Sequence, residues 1–401
     1  MTLVSSEPNC VDVSNGLVDR PRRDATRRAA LDQSVAELSP IAFASLSRAD
    51  QRRKGLLYLR GLLGATGRKS VRNIAAFLED QVNDQGLHHF INDSTWEWGT
   101  MRDALGCHLV CWLPPQAYAL HPMVIPKSGT HSVGVARTFS WERGQAITAQ
   151  QVIGVWGVSA RTVCPLNWWL HLPFNRPGGD RTSVPHEAHS AIPEDSVVSA
   201  YLETASRLRL PHRPVTLNAE RLDGIRMAAK LSAAGLKHIS RIAKDTWLLP
   251  DDPTLPGWGE SPLQASRIAH LAKMGRKRVA LIPLGAPDTT GLVAAVRVRL
   301  PTRDTTEHAH GGGGFLLLGV GRSGVQWPEE LWLTNMATAD HAALLRLVGL
   351  SRQVERYGVP RAERVGIRDF VGRSFAGWHR HATLTSVAYA ATELAEHRLA
   401  T

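Results

Sequence analysis

Cysteine is scarce in this chain: four residues among 401, at positions 10, 107, 111 and 164. None forms a Cys-x-x-Cys pair, so neither a disulfide framework nor a zinc ribbon is written into the sequence. A zinc reading of Cys107 and Cys111 finds one nearby helper, His108, and the expectation is instead of reduced, buried thiols in the cytoplasm. The opening MTLVSSEPNC lacks the basic start and apolar core of a secretory leader. The longest clean apolar run, Gly314 to Val320, is too short to cross a bilayer. A soluble protein without a membrane partner is therefore expected. No Lys-Ser/Thr follows the glycines of the His308 to Gly314 stretch, and its two histidines lack further ligands, so a flexible hairpin connection is expected there in place of a phosphate loop or metal tract. The most informative absence is a carboxylate. The segment Pro126 to Arg137, PKSGTHSVGVAR, follows an apolar strand-like run and holds no Asp or Glu.

What is present suffices for a sizeable core. A length of 401 residues, 43% of them hydrophobic, allows two or three domains. Lys and Arg number 47 against 36 Asp and Glu, a formal charge of +11. That balance favours a polyanion such as nucleic acid over an acidic small molecule, although a generally basic surface gives the same count.

Along the chain, residues 1 to about 24 lack apolar periodicity and read as a solvated tail, followed by a short basic helix from Ala25 to about Leu38. Asp50 is placed as the cap of a helix from Gln51 to Leu63 with Leu56, Leu59, Leu62 and Leu63 inward. After Gly64 and Gly67, Arg68-Lys69-Ser70 opens a second helix that buries Ile74, Phe77 and Leu78. Two short helices with cations at the joint suit a helix-turn-helix-like DNA module, and equally a helical bundle whose cations face water. A third helix is read at Gln85 to Ile91, and Ser94 with Glu97 has capping-box spacing before a fourth.

Beyond Pro114-Pro115 strands alternate with helices. Strands are expected at Tyr118 to Ile125, Ser132 to Ala136, Gln151 to Val158, Val163 to Pro173 and Val215 to Asn218. Helices are expected at Pro193 to Leu208 and Leu222 to Gly235, with a surface loop at Arg176 to Thr182. This is an α/β pattern. Short strands at Leu292 to Val298 and Phe315 to Val320 read as a β-rich insertion. Asp340 opens a helix that reaches Glu355 and is interrupted at Gly358 and Pro360. Gly366 to His381 then interleaves aromatics with cations, which can hold a nucleic-acid backbone or pack a helix on its neighbours.

These pieces, in order, resemble bacterial insertion-sequence transposases of the DDE superfamily, of the insertion sequence 701 type. The resemblance spans about residues 45 to 390. It is carried by Asp50-Gln-Arg-Arg53, Tyr58-Leu-Arg-Gly-Leu-Leu63, Arg68-Lys-Ser70 and His89-Phe-Ile-Asn-Asp-Ser-Thr-Trp96. The core adds Pro126-Lys127, Gly129, His131 to Arg137, Pro165-Leu-Asn-Trp168 and Leu333-Thr-Asn335. Val354-Glu355, Gly366-Ile367, Arg373 and Trp378-His-Arg-His381 complete it. It implies a ribonuclease H-like core with an inserted β-rich subdomain and an N-terminal all-helical domain. The implied division is a basic tail at 1–44, a helical DNA-binding domain at 45–115, core at 116–245, the insertion at 246–335 and the rest of the core at 336–401.

In active relatives two Asp and one Glu hold Mg²⁺ ions for phosphodiester cleavage and strand transfer. Here the slot of the first Asp falls at His121 or Pro122, and that of the second at Asn218. Glu355 matches the Glu, while a Trp expected before it is Arg352 and a Lys after it is Ala362. A lone carboxylate is a poor Mg²⁺ ligand set, so a DNA-binding protein defective in cleavage, with no bound metal, is expected. A site rebuilt from Glu355 with Glu220 and Asp223 would restore an active transposase, and a protein-interaction module is the reading outside DNA. Arg68, Lys69, Lys127, His131, Arg137, Arg373, Arg380 and His381 are the expected phosphate contacts. Double-stranded DNA is the expected partner, with self-association left open.

Overall fold

The computed structural model describes residues 15–140, 143–172, 192–255, 261–275, 277–281, 289–301, 314–322 and 327–400. The expected loop at Arg176 to Thr182 and most of the His308 to Gly314 stretch lie outside them. No described helix is long and apolar enough to cross a membrane.

The sheet is organised on β1 (Ala117–Pro126). A long strand, β3 (Gln145–Val158), pairs antiparallel with it and is buried without a break from Ala149 to Val158, as a strand covered on both faces must be. On β3's other side lie β2 (Val135–Ser140) and β4 (Val163–Leu170). Across β1, β5 (Val215–Asn218) and β6 (His238–Ile242) run parallel to it, after the crossover helices α6 (Glu194–Leu208) and α7 (Gly224–Ala233). The β-rich segment continues this same sheet: β12 (Glu330–Thr334) pairs antiparallel with β6, then come β11 (Phe315–Gly321), β10 (Thr289–Arg299) and β7 (Trp247–Pro250). Two smaller apolar clusters, around Ile268 and Leu333 and around Trp332 and Leu344, fill that end.

Helices α1 (Asn15–Ala42), α2 (Ala49–Gly64), α4 (Asp84–Asn92) and α5 (Trp98–Trp112) pack on the closing helix α11 (Phe375–Ala400), which also lies on β4. One core cluster runs from Val35 on α1 through Tyr118 on β1 to Leu394 on α11, so the helices before residue 115 and the strands after it exclude water together. Because α11 is covered on nearly all sides, many of its polar residues sit in the interior, among them His379, Arg380, His381 and Thr383, which are hydrogen-bonded.

Opposite α11, Arg102 on α5 is 2% exposed. It donates to Asn167 Oδ1 at 2.8 Å, to the Trp168 and His379 carbonyls at 2.9 and 3.0 Å, and to Thr383 Oγ1 at 2.8 Å. Its guanidinium lies 4.7 Å from the centre of the Trp98 ring. Arg102→Met leaves those acceptors without a donor in a dry interior, at about 1–3 kcal/mol for each that water cannot reach. A loss of about 3 kcal/mol in denaturant unfolding is expected; a loss under about 1 kcal/mol would show that water reaches the network.

Several local expectations are corrected. The helix expected from Ala25 begins at Asn15. Asp50 does not cap α2: it lies inside the first turn and receives Arg48 Nε at 2.9 Å. Ser94 accepts from Gln51 Nε2 at 3.2 Å, so the Ser94–Glu97 capping box does not form. Phe77 is 48% exposed, because it lies over Gly64 at the edge of the helical layer. Cys107 and Cys111 are exposed on one face of α5, and Cys164 alone of the described cysteines is buried. Finally, Gly358 and Pro360 do not end the helix that carries Glu355.

Candidate functional site

That helix passes without a break from α9 (His341–Gln353) through one π turn, Val354–Gly358, into α10 (Val359–Arg364). Proline has no N–H to give and its ring crowds the carbonyl one turn back. The wide turn, in which Val359 N–H reaches the Val354 carbonyl, accommodates Pro360 at the start of α10. Gly358 is needed for a different reason: a Cβ there would stand 2.9 Å from Val163 and 3.1 Å from Trp156, so the turn lies against β3 and β4. Such turns recur at functional positions, and this one points Glu355 at the end of β5.

Leu120 on β1 lies opposite Leu217 on β5. The next residues, His121 and Asn218, therefore stand level on adjacent parallel strands, about 4.8 Å apart along the backbone and on one face of the sheet. Of the two residues expected at the first slot, His121 is the one level with Asn218. Asn218 Nδ2 donates to Glu355 Oε1 at 2.6 Å across 137 residues of sequence, and Asn218 Oδ1 accepts from Glu220 N–H at 3.1 Å. The three positions expected to have carried metal ligands thus meet in one cleft.

The cleft, of about 750 Å³, is lined by Arg143, Arg221, Arg241 and Arg368 against two carboxylates, Glu220 and Glu355. Arg241 pairs with Glu220 at 3.1 Å and with Glu330 at 3.5 Å. Glu330 in turn receives Arg352 at 2.7 Å and the Trp332 indole at 2.9 Å. Burial pushes the Glu330 carboxyl up, but the hydrogen bonds and charges of Arg352 and Arg241 outweigh it and hold it below the usual range. Burial, with Arg368 and Arg221 nearby, pushes His121 down to about 4, so its imidazole is neutral at pH 7.

The donor set does not suit a pair of magnesium ions. Among the described residues no three His, Cys, Asp or Glu side chains group as a metal would require. Asp223 accepts from the N–H groups of Ile225 and Arg226 as the N-cap of α7 and does not line the cleft.

Four expected phosphate contacts are spent on the protein itself. Lys69 is buried and gives its ammonium to the Ala65 carbonyl at the end of α2. Lys127 donates to the Arg368 and Phe370 carbonyls at 3.0 and 2.7 Å, and burial, helped by Arg68, lowers it to about 8. Arg380 closes the end of α4 through the carbonyls of Ile91, Asn92 and Trp96. His381 stands between the Tyr58 hydroxyl at 2.8 Å and the Gly366 carbonyl at 2.7 Å. Lys127 and His381 thereby pin the loop that begins at Gly366, whose φ of +95° suits glycine. Arg68, His131, Arg137 and Arg373 are exposed, with Arg68 4.0 Å from Asp369.

The sequence reading missed Arg143, Arg221, Arg241 and Arg368. A signal existed for Arg241, a cation in the otherwise buried strand His238–Ile242. The other three come from separate segments with no common spacing.

No curated protein matches this chain. Among solved structures, piggyBac transposase in a synaptic complex with hairpin DNA aligns at 10% identity and a TM-score of 0.39, over 94% of this chain and 82% of that one. That likeness is too slight to argue from. The family described as DDE superfamily endonuclease matches residues 42–303, which takes in His121 and Asn218 and ends before Glu355. The match covers well over half of the sequence, and the chain belongs to the DDE superfamily of endonucleases.

Proposed function

We infer that this protein is a transposase-derived DNA-binding protein, of the insertion sequence 701 type, that has lost the metal-dependent centre for strand cleavage. The observation that carries the reading is the 2.6 Å hydrogen bond from Asn218 to Glu355: the one retained carboxylate of the three is held by an amide where a second acid is expected. A central strand with an antiparallel neighbour on one side and two parallel strands on the other supports a ribonuclease H-like core. Residues 45–115 serve as the helical DNA-binding part, with Arg68 at the joint of its helices. His131, Arg137 and Arg373 extend the contact to backbone phosphates.

Two measurements test this. A calorimetric Mn²⁺ titration of the full chain is expected to show no saturable binding. Saturable binding that disappears in Glu355→Ala would overturn the reading in favour of a rebuilt site that uses Glu220, which lines the same cleft. Duplex DNA is expected to be retained at low salt, and Arg68→Gln and Arg373→Gln should each lower the slope of log affinity against log salt by about 0.9. Failure to retain any duplex at low salt would remove the DNA function and favour a protein-interaction module.

A further inference from the structure

The cleft is assembled for negative charge. Four arginines face two carboxylates, Glu355 is engaged by Asn218, and Glu220 is engaged by Arg241. Three of the residues that line it also carry a buried donor with no acceptor among the described residues: Thr138 Oγ1, Arg241 Nε and Arg368 Nε. Thr138, on β2, is 4% exposed, so its hydroxyl is denied bulk water as well. A buried donor left unpaired costs about 1–3 kcal/mol, a cost that a ligand with acceptor oxygens relieves at each donor it reaches. Pro122, Met123, Ile147, Ile192 and Leu222 give the lining an apolar part, beside the polar Ser140 and Gln151. The volume falls within the range of sites that enclose one small organic group, too little for a duplex.

We propose that this cleft binds the phosphate of a nucleotide unit without metal, the arginines taking the charge that cations take in active relatives. The apolar wall receives the sugar or base. A strand, and not a free nucleotide, is the favoured source, because Arg368 also lines a neighbouring depression of about 610 Å³ together with Arg68 and Lys127. A chain that leaves the cleft past Arg368 meets a small excess of positive charge there, three cations against Glu363 and Asp369. The proposal rests on the reading above for the nucleic-acid source; the anion site itself does not.

The test uses the full chain in EDTA with a fluorescent thymidine tetranucleotide as probe and inorganic phosphate as competitor. Binding is expected in EDTA and unchanged by added Mn²⁺. Arg143→Gln and Arg368→Gln should each weaken it about tenfold or more and lower the salt slope by about 0.7, the single-strand value per charge. Thr138→Val should weaken it a few-fold with the slope unchanged, since no charge is removed. Arg368 is ion-paired with Glu363, so its variant can lose fold as well as charge; Arg143 is exposed, and its variant carries the test if Arg368→Gln melts early.

No binding in EDTA, or binding equal to that of the natural chain in a folded Arg143→Gln, would overturn the proposal. Inorganic phosphate that competes as strongly per molecule as unlabelled tetranucleotide would overturn the strand and leave a free phosphate ester. The two readings fail separately. Duplex retained with no tetranucleotide bound sinks the cleft proposal alone, and tetranucleotide bound with no duplex retained sinks the duplex-binding function alone.

Discussion

Acidification from pH 6.5 towards 4 is expected to strip the protein of most of its stability. Three histidines lie in the interior, His238, His379 and His381, with exposures of 0, 3 and 1%. Burial is the main cause that lowers each of them. It takes His238 to about 4 against a weak pull from a main-chain hydrogen bond. His381 also falls to about 4, despite the Gly366 carbonyl and Asp369. Burial with the charges of Arg102 and Arg207 takes His379 to about 2. In each case the folded value lies below the ordinary 6.5, so between the two the unfolded chain binds protons that the folded chain refuses. The contribution is complete above pH 6.5 and is lost as pH falls.

Each such histidine gives a slope of up to ~1.4 kcal/mol per pH unit, and three give ~4, against a total stability of ~5–15 kcal/mol. Urea midpoints at a series of pH values from 7.5 down to 5 read this directly. The midpoint should drop steeply below pH 6.5, and His379→Gln should reduce the slope by up to ~1.4 kcal/mol per pH unit. A midpoint that stays level to pH 5 would mean that these imidazoles titrate as exposed ones do.

The second large effect is a gain. In the double variant His121→Asp with Asn218→Asp, positions 121, 218 and 355 all carry carboxylates, where the natural chain has one among the three. The first two stand level on parallel strands, and the third already lies within hydrogen-bond reach of position 218. Without metal, acids this close cannot all ionise, and one should be forced to keep its proton near neutral pH. The metal-free variant should therefore be less stable than the natural chain at pH 7.5. Mn²⁺ should reverse the loss, with about 2.7 kcal/mol recovered at a concentration a hundredfold above its dissociation constant. The surrounding arginines oppose a cation, so binding should tighten further when Arg221→Gln is added. A triple variant that also carries Glu355→Ala should lose the metal. Should the double variant bind no Mn²⁺, the three positions do not form a metal cage and their assignment as former ligands fails.

Much of the sheet was legible because buried strands announce themselves as apolar, β-branched runs. Val215 to Asn218 lies as expected, and β1 and β4 depart from expectation only at their ends. The resemblance located Asn218 and Glu355 as partners; no local pattern links residues so far apart. Side-chain roles were the weak point, for a physical reason. A sequence shows that Lys69, Lys127 and Arg380 are cationic, but not that unpaired carbonyls wait beside them at the ends of α2 and α4 and in the loop after Gly366. The burial of His381 likewise depends on α1, α2, α4, α5, α10 and β4 closing around α11. Pro360 was read as a break because spacing cannot distinguish a stop from a turn wide enough to admit it.

The single cluster that joins Val35 to Leu394 has an evolutionary consequence. A gene of this kind cannot be trimmed by degrees. A late start codon that removed α1, or a frameshift that removed α11, would leave the remaining helices with an apolar flank in water and no smaller module to fall back on. Decay that spares the fold has to proceed by substitution. On the function proposed above, the cleft is where this chain bears such marks, with histidine and asparagine where acids are expected and a frame kept whole around them.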